Sequence, residues 1–171
     1  SPALWAEFRA SMVEALIAGS GVAIEESISL AVDAGVGVEI ATVNEAVAAF
    51  IESYADEWWT AIETTTREGM RDAFRAFAEG ELGTREALLE RLSTLFSPER
   101  AMRIATTETT RMFAMSNMTS YAQAGIERVR FLTVRDSFVD GECSQYDDLV
   151  FPIDEAPTPP LHVNCRCFLS P

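Results

Sequence analysis

One histidine and three cysteines are the residues of this chain best suited to metal or thiol chemistry, and three of the four crowd into its last ten positions as "HVNCRCFLSP". If "CRC" is extended, Cys165 and Cys167 project to one side and Arg166 to the other. His162 precedes Cys165 by three residues and can fold back across a turn. Cys143 lies far enough upstream to form the other half of a small zinc site. Cys143, His162, Cys165 and Cys167 thus supply donors of the right types for a tetrahedral Cys3His zinc site with a structural role. An odd number of cysteines cannot form a complete intramolecular disulfide framework, so a metal, free thiols, or one disulfide with a spare thiol are the open possibilities.

The same residues could be read as catalytic. Cys143 as nucleophile, His162 as base and Asp140 or Asp147 as orienting group would make a triad. No Gly-rich turn or helix start stands ready to form an oxyanion hole, and a thiol beside two others resembles a ligand more than a nucleophile. No catalytic residue is assigned on this reading.

The elements that must hold these donors are mostly helical. Leu4, Trp5, Phe8, Met12, Ala15 and Leu16 recur at helical spacing up to Gly19 and Gly21, and Ile24, Ile28, Ala31 and Val32 resume it, which predicts two short helices. A long helix is predicted from Thr42 to about Ala78, with Val43, Val47, Phe50, Tyr54, Trp58, Ile62, Thr65, Met70, Phe74 and Phe77 as its apolar stripe and a possible kink at Gly69. Within it, "EWW" reads as core packing with one partly exposed indole. Thr84 is placed to cap another amphipathic segment. Ser97 as N-cap, Pro98 at the first helical position, Glu99 in the first turn and Gly125 at the end delimit a further helix. Its predicted packing stripe is Ile104, Glu108, Arg111, Met115, Met118 and Ala122. That puts Glu108 and Arg111 on an apolar face, as a half-buried pair or with Glu108 reaching Arg166. After Gly125, "ERVRFLTVRD" and "DDLVFPID" read as short strands. The expected fold is α+β: an elongated, mostly helical body with a small C-terminal β-containing appendix. The division is residues 1–96 as a helical region and 97–171 as one helix plus the appendix. Residues 129–171 hold five of the seven prolines and few large apolar groups, so a fastener through the Cys/His cluster offsets their ordering entropy.

The net charge is -14, and all 13 basic residues are Arg. Residues 1–80 carry 4 Arg against 14 acids, so the acidity is concentrated in the first half. Such a surface repels phosphate backbones, and little direct nucleic-acid binding is expected; a basic protein partner fits better. No segment approaches the roughly 20 apolar residues of a membrane span, so a soluble protein with no membrane partner is expected. The start, "SPALWAEFRASM", has no Met and no signal-peptide pattern, which suggests a segment of a longer protein.

The order "IATTET" in a helix, the strand "VRFLTV", an Asp, a Cys, "LVFPIDEAPTPP" and finally "HVNCRC" resembles the C-terminal domain of the phage Mu F-like minor head proteins, the head morphogenesis family of tailed phages. The resemblance covers residues 97–171. Members of that family typically show Arg-Thr-Glu where this chain has Thr106, Thr107 and Glu108, and a CxxC where it has Cys143 and Tyr146. The resemblance implies a structural minor head protein of a phage or prophage, inside the virion head and in contact with the portal or other head proteins. Its work there would be head morphogenesis or DNA delivery, with no established catalytic activity. The rival readings are a cysteine-nucleophile or metal-dependent hydrolase and a toxin-linked delivery domain.

Overall fold

A computed structural model describes residues 2–171; the side chains at 2–5, 8, 12, 13, 15–22, 51 and 52 lie outside the description, and with them the first apolar stripe, from Leu4 to Leu16. The order of elements is α1 (Pro2–Asp33), α2 (Ile40–Ala78), α3 (Arg85–Thr94), α4 (Pro98–Gln123), β1 (Arg128–Leu132), α5 (Gly141–Ser144), β2 (Val150–Pro152) and β3 (Phe168–Ser170). The fold is α+β, with long helices followed by a small antiparallel sheet of order β2-β1-β3.

Helix α1 runs unbroken through Gly19 and Gly21 for 32 residues, where two short helices were expected. An interior glycine costs a helix about 1 kcal/mol and does not by itself end it. The first real stop is Gly35, at φ +74, whose left-handed backbone lets Val36 N–H reach back to Ala31 O at 2.8 Å. The other helix ends fall where their capping residues are. Thr84 Oγ1 accepts from Ala87 N, and Ser97 Oγ accepts from Arg100 N ahead of Pro98. Gly125, at φ +71, closes α4 while Ile126 N–H bonds Tyr121 O.

The chain forms two compact units, one of residues 1–51 and 104–171, the other of residues 52–103. The boundary falls within α2 and within α4. In the second unit, Ala55, Trp58, Trp59, Ile62, Thr66, Ala73, Ala76 and Leu88 are buried. Both indoles are therefore interior, against the expectation of one partly exposed. Phe74 and Phe77, placed on the buried stripe by sequence, are 54% and 40% exposed. The face turns because small residues, Ala73 and Ala76, take the packing positions. Gly69 has a packing reason too: a Cβ there would meet Leu95 Cδ2 at 2.6 Å. Arg100 ties this unit internally, donating to Leu95 O and to the hydroxyls of Thr65 and Thr66.

In the first unit, β1 alternates strictly. Val129 and Phe131 point inward with no exposure, while Arg128 and Arg130 point out. Phe131 pairs across the sheet with Leu169, and Val129 with Phe151. Val129, Phe131, Leu169, Tyr121, Ala31, Val36 and all three cysteines form one buried apolar cluster.

Candidate metal centre

Each cysteine reaches this cluster by a different local device. Cys143 sits in the single turn α5. Asp140 starts that turn by accepting from Glu142 N with its carboxylate, at 2.8 Å, and from Ser144 N with its carbonyl, at 2.9 Å. Cys165 and Cys167 flank Arg166 in extended chain leading into β3. Both thiols are buried, at 1% and 3% exposure, while Arg166 is exposed and pairs with Asp136 over the ring of Phe138. The alternation expected of "CRC" is the one observed.

The three Sγ atoms lie within 4.8 Å of one another, and Cys143 Sγ is 3.7 Å from Cys165 Sγ. No disulfide joins them. Burial pushes the Cys143 thiol far above its ordinary range, and the neighbouring sulfurs push it further. Burial likewise pushes Cys167 up to about 11. At neutral pH and without a metal Cys143 and Cys167 are protonated thiols, and all three cysteine side chains pack as small apolar groups. The arrangement offers three soft donors that converge on one point.

His162 is half-buried and stands outside this three-thiol group; its Nδ1 lies 2.9 Å from Val163 O. Neither carboxylate considered for a triad is free to orient it. Asp140 caps α5, and Asp147 accepts from Thr133 N at 2.9 Å and from Arg135 Nε at 3.0 Å. Tyr146, at the position of the second cysteine in a CxxC, packs its ring against Phe131 and Phe151.

Sequence reasoning missed the residues that dock the tail on α4. Thr107 Oγ1 accepts from Asn164 N at 2.8 Å, and Thr110 Oγ1 donates to Cys165 O at 2.7 Å. Asn117 Nδ2 and Tyr121 OH both donate to Leu169 O. Asn117 Oδ1 in turn accepts from Ser27 Oγ of α1 at 2.6 Å. Thr107, Thr110, Ala114, Asn117 and Tyr121 are buried at steps of three and four, a helical face made of small and polar groups. The stripe expected from apolar content, Ile104 to Ala122, is mostly half-exposed instead, because the buried face satisfies backbone groups of the tail rather than side chains of a core. Glu108 is the exception. It is buried and pairs with Arg111 at 3.2 Å, while Arg166 goes to Asp136.

Residues 68–170 match the family model described as Phage Mu protein F like protein. No curated protein and no solved structure matches the chain.

Proposed function

The chain belongs to the phage Mu F-like family, a family of phage head proteins, and from that premise we propose that it is a structural minor head protein that works in head morphogenesis or DNA delivery. The family match over residues 68–170 is the observation that carries this reading. Among the described residues, no helix is long and apolar enough to cross a membrane. In this reading the protein lies inside the head and contacts the portal or another head protein through the acidic surface of residues 1–80. Residues 97–171 carry the part docked by the cysteine cluster, and residues 1–96 supply the helical remainder.

The cluster's role here is structural. Zinc–thiolate bonds of about 2.3 Å in a tetrahedron set the sulfur atoms about 3.8 Å apart. The 3.7 Å separation of Cys143 and Cys165 fits such an edge, and three convergent thiols are a donor set that zinc takes readily. Cys143, Cys165 and Cys167 would hold the ion, with His162 as fourth ligand after turning from the Val163 carbonyl. When bound, zinc supplies cross-linking free energy that the unfolded chain lacks. Hydrolysis is not part of the proposal: Cys143 is fully buried, its thiol is held protonated, and the side chains that group with it are two further thiols.

The test is capture of the purified portal protein of the same phage by this chain. Retention at low salt that weakens as salt screens the contact is the expected result. Capture of DNA in preference to portal and other head proteins would overturn the reading.

A further inference from the structure

The C-terminal half of α1 meets α4 and β3 at a groove of about 290 Å³, lined by Glu26, Ser29, Leu30, Asp33, Phe113 and Phe168. Its walls are of two kinds. Leu30, Phe113 and Phe168 are half-buried and give an apolar floor with two phenyl rings. Glu26 and Asp33 are exposed at the rim, seven residues apart and hence on one side of the helix. No ion pair among the described residues involves either carboxylate.

The charge around this groove is one-sided. Between Arg9 and Arg67 the chain has ten acidic residues and not a single Arg, Lys or His. Helix α1 beyond Arg9 and the whole first part of α2 therefore carry no cation to neutralise Glu26 and Asp33 locally. An apolar floor under unneutralised carboxylates suits one common chemical form, a long side chain with an apolar stem and a cationic head. Arginine and lysine have it: the methylenes would lie along Leu30, the head would reach the carboxylates, and the phenyl faces would add cation–π attraction. A phosphate backbone is repelled by the same field.

We propose that this groove receives an Arg or Lys side chain from a basic segment of a protein partner. The inference rests on the head-protein reading only in naming that partner as another head protein. The binding chemistry stands by itself and is tested without any phage component.

The probe is a short synthetic peptide with two arginines flanking a leucine, with its citrulline counterpart as the neutral isostere. Both are titrated into the 171-residue chain at low salt and followed by NMR shifts of Leu30, Phe113 and Phe168. The arginine peptide is expected to shift these three residues, and the citrulline peptide to leave them in place. Glu26→Gln with Asp33→Asn should weaken binding about fivefold, as loss of two exposed ion pairs implies. The charge-matched variant Glu39→Gln with Glu45→Gln, whose carboxylates do not line the groove, should bind as the parent does. Equal weakening by both double variants would mean attraction to net charge alone and would overturn the proposal. So would equal binding of the citrulline peptide, or displacement of the arginine peptide by calcium at equimolar concentration. If the groove binds the peptide and the portal is still not captured, the head-protein partner is lost while the groove stands.

Discussion

Cys165 is held from two directions. Its thiol joins Cys143 and Cys167, and its carbonyl accepts from Thr110 on α4. The two can be separated experimentally, because Cys165→Ser removes the thiol and leaves the carbonyl bond in place. That variant is expected to lose metal binding and to make residues 162–171 cleavable by protease, while the far-ultraviolet circular dichroism of the helices is unchanged. Elemental analysis of the parent chain purified without chelator should find about one zinc per chain. A tail as resistant as before in Cys165→Ser would mean that the cluster fastens nothing. The types and spacing of Cys143, Cys165 and Cys167 made their convergence legible in sequence, because a thiol pair separated by one residue in extended chain can face only one way. The place of His162 was not legible. Its ring depends on the local path at Val163 and Asn164, where Asn164 adopts φ +65, and no spacing rule encodes that.

At the scale of elements, capped helix ends were legible, the break expected at Gly19 and Gly21 is absent, and helix faces were less legible. Thr84, Ser97 with Pro98, and Gly125 act through their own backbone and neighbours, so their meaning is local. The buried face of α4 is set by what docks on it, and its Thr107, Thr110 and Asn117 look like surface residues until the tail's amides and carbonyls are present. Strand β3, three residues long, is too short to show any periodicity and exists through its pairing with β1. Thr110→Val keeps the shape and removes the hydroxyl bonded to Cys165 O. It should destabilise the first unit by about 1–2 kcal/mol, the cost of leaving a buried carbonyl without its donor. Chemical denaturation checks this, and an unchanged midpoint would remove Thr110 from the docking account. Asp147 gives the β1–α5 region a pH dependence. The Thr133 amide, joined by Arg135, holds its carboxyl below the usual aspartate range. Stability from a depressed carboxyl is present above its unfolded value, about 3.9, and is lost as pH falls through the lower folded value. The melting-temperature gap between parent and Asp147→Asn should therefore be widest at neutral pH and shrink on acidification toward pH 3. A constant gap would contradict this.

For the whole molecule, composition already pointed away from nucleic acid and toward a basic partner, and the closing "HVNCRC" pointed to a head protein family. The family match extends that assignment upstream to residue 68, inside α2, where the resemblance rested on residues 97–171. The upstream part was not legible as family because its helical pattern carries no distinctive residue types; helices with apolar stripes occur in every class of protein. The partner proposed for the acidic first half was legible only as a sign of charge, since a groove such as that of Glu26, Asp33, Phe113 and Phe168 is assembled from three elements distant in sequence. The measurement closest to the central claim is quantitative mass spectrometry of purified, nuclease-treated heads from the phage or prophage that encodes this chain. The protein is expected at a few copies per head, retained after external protease treatment as an interior location requires. Heads of normal yield and DNA content that lack the protein altogether would contradict it.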